Sequence, residues 1–155
     1  MTPYIAPGII IQIDPMQIPE LCGAKINNTS RETEIVIPRQ IAMSLMYVFS
    51  TYSLGIVSKP FAKDHATVLH AIKRINEGLF TNDSLIVPTL TKVFNKLYFT
   101  HLHMKQVIDI TNTKDIVVSN EVERRLNYYD FSKELIRRWH NMDKMYAGSD
   151  AVASV

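Results

Sequence analysis

Apolar residues recurring at helical steps constrain this chain more than any other feature. Val68, Leu69, Ile72, Ile75 and Leu79 make one apolar stripe that begins directly behind Asp64. That aspartate is placed as an N-cap, because its carboxylate can accept from the unpaired N–H groups of a first helical turn. Gly78 reads as the C-terminal stop. His65, His70, Lys73, Arg74 and Glu77 occupy the opposite face. Upstream, Ile41, Leu45, Val48 or Phe49, and Tyr52 repeat at the same spacing and predict a helix over about 38–52. Pro38 suits its first turn, where a missing N–H costs nothing. Ser53 to Lys59 leaves room for a short helix or turn, stopped at Pro60.

Two longer helices are expected downstream. One runs from about Pro88 to Ile108, with Val93, Leu97, Leu102 and Val107 inside. The other runs from about Asn120 to Tyr146, with Tyr128, Phe131, Leu135, Trp139 and Met142 at helical steps. Between them Ile116 to Val118 suits a short extended piece. The beginning differs: Pro3, Pro7, Pro15 and Pro19 remove backbone donors and bias their neighbours away from helix. There the isoleucine-rich Gly8 to Asp14 suits a short strand or an extended segment laid over the core. The expected organisation is a proline-rich arm over 1–29, a helix-turn-helix unit over 30–80 and a helical extension over 81–155. The fold class is mainly α, a helical bundle with additional C-terminal helices.

Composition narrows the function. The 155 residues are 46% hydrophobic and 21% charged, which suits a globular chain with a real core and excludes a disordered or fibrous one. No apolar run approaches the ~20 residues of a membrane helix, and no basic-then-apolar leader is evident at the N-terminus. Cys22 is the single cysteine, which fits a reducing, cytoplasmic compartment and rules out an internal disulfide. Net charge is +2. Residues 31–80 hold six bases against four acids and 81–155 hold ten against nine, so an electrostatic site must be a patterned face and not a basic tail.

A helix, a short helix, a tight turn and a capped helix with a polar face form a helix-turn-helix pattern. Its last helix would present its N-terminal residues to base edges in the major groove, where each base pair shows a distinct donor and acceptor pattern. Lys63 and His65 would lie near the groove, and Arg39 would clamp a phosphate.

The letters sharpen this. The run Lys63-Asp64-His65-Ala66-Thr67-Val68-Leu69-His70-Ala71-Ile72-Lys73-Arg74-Ile75 resembles the signature R-D-H-T-T-V-L-H-A, followed by a basic pair and isoleucine, of the C-terminal DNA-binding domain of the bacterial replication initiator DnaA. Pro38-Arg39-Gln40-Ile41-Ala42-Met43-Ser44-Leu45 is similar to that family's (A/P)-R-Q-I/M-A-M-x-L helix, and Arg31 stands where the family carries an arginine in the preceding loop. The resemblance covers about residues 30–80. It implies that Arg31 enters a minor groove, while Arg39 and Gln40 contact phosphate. Lys63 would be a basic residue beside the recognition helix, Asp64 and His65 would meet bases, and Thr67 and Arg74 would contact the backbone. In the family these positions read an asymmetric nine-base-pair site resembling TTATCCACA. The implied partner is double-stranded DNA and the implied role lies in replication initiation or its regulation. The location would be the nucleoid, or the host cytoplasm for a phage or mobile-element product.

The chain also departs from the family. Ala66 replaces a second threonine, leaving a methyl for a thymine methyl contact. The turn Phe61-Ala62-Lys63 is one residue shorter than F-G-G-R. No G-x-x-x-x-G-K-[ST] loop is present, so no nucleotide is expected to bind. No nucleophile, metal or phosphate-loop pattern supports an enzyme, and neither a metal nor a cofactor is expected; His65 with His70 and His101 with His103 are badly spaced for a metal. Arg124-Arg125 and Arg137-Arg138, alternating with Glu121, Glu123, Asp130 and Glu134, read as solvated helix faces. Cys22 reads as inert, and Met43, Met46, Met142 and Met145 as packing residues. The alternative is a protein-interaction or virion structural component that retains this fold, docking other proteins through the arm and the C-terminal helices.

Overall fold

Stripes of apolar residues on separate helices can be buried only by laying those helices against one another. A computed structural model describes residues 15–26, 30–107 and 120–147. Among these residues there are seven α-helices and no strand: α1 (Ile18–Leu21), α2 (Thr33–Val48), α3 (Leu54–Ser58), α4 (His65–Phe80), α5 (Ile86–Val107), α6 (Asn120–Tyr128) and α7 (Asp130–Met142). A 3-10 turn, Lys59–Phe61, joins α3 to α4, and a π-helical turn, Asp143–Ala147, follows α7.

Helix α2 is central. It contacts α1, α3, α4, α5 and α6, and Ile37, Ile41, Ala42, Met43, Leu45, Met46 and Val48 are all buried. A helix covered on several sides is apolar nearly all round, as this one is. Helix α4 contributes the single stripe Val68, Ala71, Ile72 and Ile75, while Leu90, Phe94, Leu97 and Tyr98 come from α5. From α7, Phe131, Leu135 and Trp139 close the core. Trp139 meets Tyr98 and Phe94 edge-on, with ring centroids 4.8 and 6.0 Å away. The Tyr98 hydroxyl donates to Asp143 Oδ1 at 2.7 Å, tying α5 to the turn after α7. Burial, then that bond, push its phenol above the usual tyrosine range.

Several boundaries fall elsewhere than their local spacing suggests. Within the expected arm, Pro15–Leu21 is helical, and Pro15, Ile18, Pro19 and Cys22 are buried against the core. Burial pushes the Cys22 thiol up to about 12, which leaves it protonated and unreactive. Helix α2 starts at Thr33, so Pro38 lies inside it. The missing N–H leaves only the carbonyl of Glu34 unpaired, at the exposed end of the helix, where water can reach it. The same helix ends at Val48, placing Tyr52 in the following turn.

Gly78 is not a stop. It lies inside α4, where an added Cβ would press on the Ile86 side chain of α5. The helix ends instead in a Schellman motif around left-handed Asn82 (φ 56°), with Asp83 N–H donating to Gly78 O (2.8 Å) and Asn82 N–H to Leu79 O (3.2 Å). The single long helix expected over 120–146 is two helices. Tyr129 is extended at the break, the Phe131 N–H donates to Asn76 Oδ1 of α4 (2.8 Å), and Ser132 Oγ donates to Leu126 O (2.6 Å). Tyr128 is consequently 70% exposed rather than inside. The expected extended pieces at Gly8 to Asp14 and Ile116 to Val118 lie outside the described residues.

Candidate nucleic-acid interface

The turn that launches α4 is built from backbone geometry. Ala62 adopts the left-handed region (φ 53°), its N–H donates to Lys59 O (3.0 Å) and the Lys63 N–H donates to Ser58 O (3.2 Å). This reverses the chain within two residues. Ser53 caps α3, accepting from Ile56 N–H at 3.1 Å. Phe61 and Val57 are buried beneath the turn, fixing α3 on α2 and α4.

Asp64 then caps α4. Its Oδ1 accepts from the Thr67 N–H and from the Thr67 hydroxyl, both at 2.9 Å. Those two bonds, the backbone one first, hold the Asp64 carboxyl below the usual carboxylate range, so it is an ionised acceptor at neutral pH. The adjacent residues Lys63, His65 and Ala66 are exposed, and Thr67 is half-buried. Val68, one position further, is fully buried. The first turn of α4 thus projects outward from a helix whose other side is locked into the core. The N-terminal N–H groups not used by Asp64 add donors and the positive end of the helix dipole.

The remaining expected residues divide into three groups. Arg31 is exposed in the segment before α2. Arg39 and Gln40 sit on α2 but are only 7% and 8% exposed. Arg39 Nη2 donates to the carbonyl of Ser30 at 3.2 Å, bracing the segment that carries Arg31. Gln40 Oε1 is buried with no hydrogen-bond partner among the described residues. Arg74 is half-buried toward the other end of α4, near Asp83, whose carboxyl is lowered first by the N–H groups of Ile86 and Leu85 and then by the Arg74 charge. Arg74 is therefore not gathered at the N-terminal turn.

The outward face of α4 also holds a residue that the stripe had assigned to the core. Leu69 is 46% exposed, on the same face as His65, Ala66 and Lys73. Its i, i+4 and i+8 relation to His65 and Lys73 is the signal that places it there. Ile56 of α3 is exposed as well. No three His, Cys, Asp or Glu residues gather as a metal site among the described residues, and none of their helices is long and apolar enough to cross a membrane. His103 is exposed, whereas the side chain of His101 lies outside the described residues.

Four arginines of the extension do not share one fate. Arg124 and Arg137 have side chains 62% and 61% exposed, as solvated faces require, but those of Arg125 and Arg138 are 8% and 22% exposed. Arg125 reaches back to α2 and the turn after it. Its Nη1 donates to the carbonyls of Tyr47 (2.9 Å), Ser50 (3.0 Å) and Tyr52 (2.7 Å), and its guanidinium lies 3.9 Å over the Tyr47 ring. It is a buried structural cation, not a solvated charge.

Comparison with known proteins agrees with this geometry. Residues 20–75 match the family model of the bacterial DnaA protein helix-turn-helix. The chain is similar to the chromosomal replication initiator protein DnaA of Deinococcus radiodurans, 32% identical over 72 residues covering 46% of this chain and 15% of that protein. It is 43% identical over 66 residues to the Latilactobacillus sakei initiator, covering 42% of this chain and 15% of the relative. For the Rickettsia canadensis initiator the identity is 44% over 59 residues, 37% of this chain and 12% of the relative. The similarity thus spans a small part of each of these initiators. No solved structure matches the chain significantly. Matched segment, short α3, tight turn and capped α4 coincide, and residues 20–75 are a helix-turn-helix domain of the bacterial DnaA type.

Proposed function

We propose that this chain binds double-stranded DNA in a sequence-selective way and acts in replication initiation or its regulation. The observation that carries the reading is the first turn of α4. There Lys63, Asp64, His65 and Ala66 are exposed on a helix whose opposite side is buried. In this reading Asp64 accepts from a cytosine amino group, His65 donates to a base edge, and the Ala66 and Leu69 side chains meet thymine methyls. Lys63, Thr67 and Arg74 contact phosphates, which position the protein without specifying sequence. Arg31 enters the adjacent minor groove, where it reads width and A·T content. Arg39 and Gln40 contribute at the phosphate edge with the small surface they retain, and Arg39 also braces the Arg31 segment through Ser30. Residues 30–80 would then be the reading unit and 81–155 its helical extension. Phosphate contacts and base contacts supply the binding, and no catalytic step is involved.

Fluorescence anisotropy with a labelled duplex carrying the TTATCCACA nine-mer, a scrambled duplex and two salt concentrations tests this directly. The proposal expects tighter binding to the nine-mer and weaker binding to both at higher salt. Equal binding to both duplexes would remove the sequence-selective part, and no binding at low salt would remove the DNA role. His65→Ala should reduce discrimination by about 1–3 kcal/mol. Lys63→Ala should weaken both duplexes alike and flatten the salt dependence.

A second reading has one observation in its favour. Phe80 at the end of α4 and Tyr128 at the end of α6 are 86% and 70% exposed, large aromatic surfaces of the kind that protein partners cover. A protein-docking role for the extension is compatible with DNA reading at the other end of α4.

A further inference from the structure

We infer that Arg125, in the helical extension, is a positioning residue for the reading helix, so that α6 is a working part of the helix-turn-helix; this rests on the DNA-binding reading above. Helix α2 ends at Val48, and the chain must turn through 49–53 before Ser53 caps α3. A helix end of this kind leaves its last carbonyls without partners inside the helix. Here the carbonyls of Tyr47, Ser50 and Tyr52 converge on one guanidinium nitrogen, and that of Thr51 lies 3.5 Å from its neighbour Nη2. Arg125 Nε donates to Glu121 Oε2 (2.8 Å), which fixes the rotation of the guanidinium, and the Tyr47 ring supports its face. Within the DnaA-type segment the Ser50 N–H also reaches the Tyr47 carbonyl, at 3.4 Å, whereas the one group that bonds all three carbonyls comes from α6.

The consequence is geometric. The direction in which α3 leaves α2 decides where the Lys59–Phe61 turn stands, and that turn decides where the first residues of α4 are presented. Arg125 holds the start of this chain of constraints. Arg124 occupies the neighbouring position and, among the described residues, bonds Glu121 and none of these carbonyls, so it is a matched control on the same helix.

The test compares the full chain with Arg125→Gln, Arg125→Lys and Arg124→Gln variants, each at a temperature where circular dichroism shows it fully folded. Dissociation constants are measured for the nine-mer and scrambled duplexes, and amide hydrogen exchange is followed over 50–56 without DNA. A mere loss of folded fraction lowers both affinities by one factor, whereas a displaced reading helix lowers the ratio between them. The inference expects Arg125→Gln to lose about tenfold or more of that ratio, on the scale of a lost base contact. It also expects faster exchange over 50–56. Arg125→Lys keeps a cation among the carbonyls and should recover part of both, and Arg124→Gln should leave ratio and exchange unchanged. If Arg125→Gln does not fold, Arg125→Lys carries the comparison, its ratio lying below that of the wild-type chain.

An unchanged ratio with unchanged exchange in folded Arg125 variants would overturn the inference. Faster exchange with an unchanged ratio would overturn its functional half. A wild-type chain that binds neither duplex would overturn the DNA reading and that same half, while the exchange arm would still decide whether Arg125 holds the turn.

Discussion

Helices α6 and α7 carry the same pattern, Glu121-Val122-Glu123-Arg124-Arg125 and Glu134-Leu135-Ile136-Arg137-Arg138. In both, the glutamate receives two arginines, one three and one four residues later. In both, the first arginine is solvated and the second turns inward. What the second one reaches is different. Arg138 donates to the hydroxyl of Thr91 on α5 at 3.0 Å, a side-chain contact at the rim of the core. Arg125 instead satisfies backbone carbonyls at the end of α2 and in the turn after it. A hydroxyl that loses its donor can turn to another partner or to water. Carbonyls gathered in a bend have no such freedom, because the chain that carries them would have to move. The same local motif is therefore a rim contact on one helix and a structural anchor on the other.

The largest expected effect separates these two anchors. Arg125→Leu leaves several carbonyls of the bend unsatisfied, at about 1–3 kcal/mol each, and should lower the unfolding free energy in urea by about 3 kcal/mol or more. Gly78→Ala probes a different contact, the approach of the α4 backbone to the Ile86 side chain of α5, where the new methyl would overlap Ile86 Cδ1 and lie about 3.0 Å from its Cγ2 and 3.1 Å from its Cβ. The overpacking should cost about 1–3 kcal/mol, read in the same urea titration. Arg138→Leu should cost about 1 kcal/mol, the ordinary worth of its side-chain bonds. A loss as large as that of Arg125→Leu would erase the distinction between the helices.

Two smaller effects refine it. Ala62→Gly removes a left-handed alanine at the turn before α4 and should raise stability by about 0.5–1 kcal/mol, seen as a higher urea midpoint. Glu121 is held down to about 2 by hydrogen bonds from Arg124 and then Arg125. A carboxyl depressed in the folded state stabilises it at pH above its ordinary 4.5 and loses that contribution as pH falls toward 2. The urea midpoint should therefore drop below about pH 4.5, and less so in Glu121→Gln. Arg124→Gln and Arg137→Gln remove bonds at exposed positions and should lower the midpoint at neutral pH only slightly, by no more than about 0.5 kcal/mol of stability.

The parts of this architecture that were legible in the sequence are local ones. Asp64 as a cap follows from an acid placed just before an apolar stripe, and the bond to Thr67 needs nothing beyond the first turn. Val68, Ile72 and Ile75 of α4 and Val93, Leu97 and Leu102 of α5 are buried as their spacing alone indicates, while the side chain of Val107 lies outside the described residues. Features that depend on distant chain were not legible. The break at Tyr129 is stabilised by Asn76, which sits on another helix. Arg125 looks like a solvated charge because its acceptors are main-chain oxygens 73 to 78 positions away, invisible in any pattern of side-chain letters. Leu69 was drawn into the stripe by its type, although its angular position puts it at the stripe's edge. The burial of Arg39 and Gln40 belongs to the same group. Helix α2 is enclosed by several neighbours, and that enclosure is a property of the bundle and not of the motif.

The central claim is that the first turn of α4 reads duplex DNA. Backbone amide chemical-shift mapping of the labelled full chain, titrated with the nine-mer duplex, tests it most directly. The account predicts the largest shifts at Lys63 to Thr67, with a second group around Arg31. Shifts confined to the surroundings of Phe80 and Tyr128, or none at saturating duplex, would contradict it.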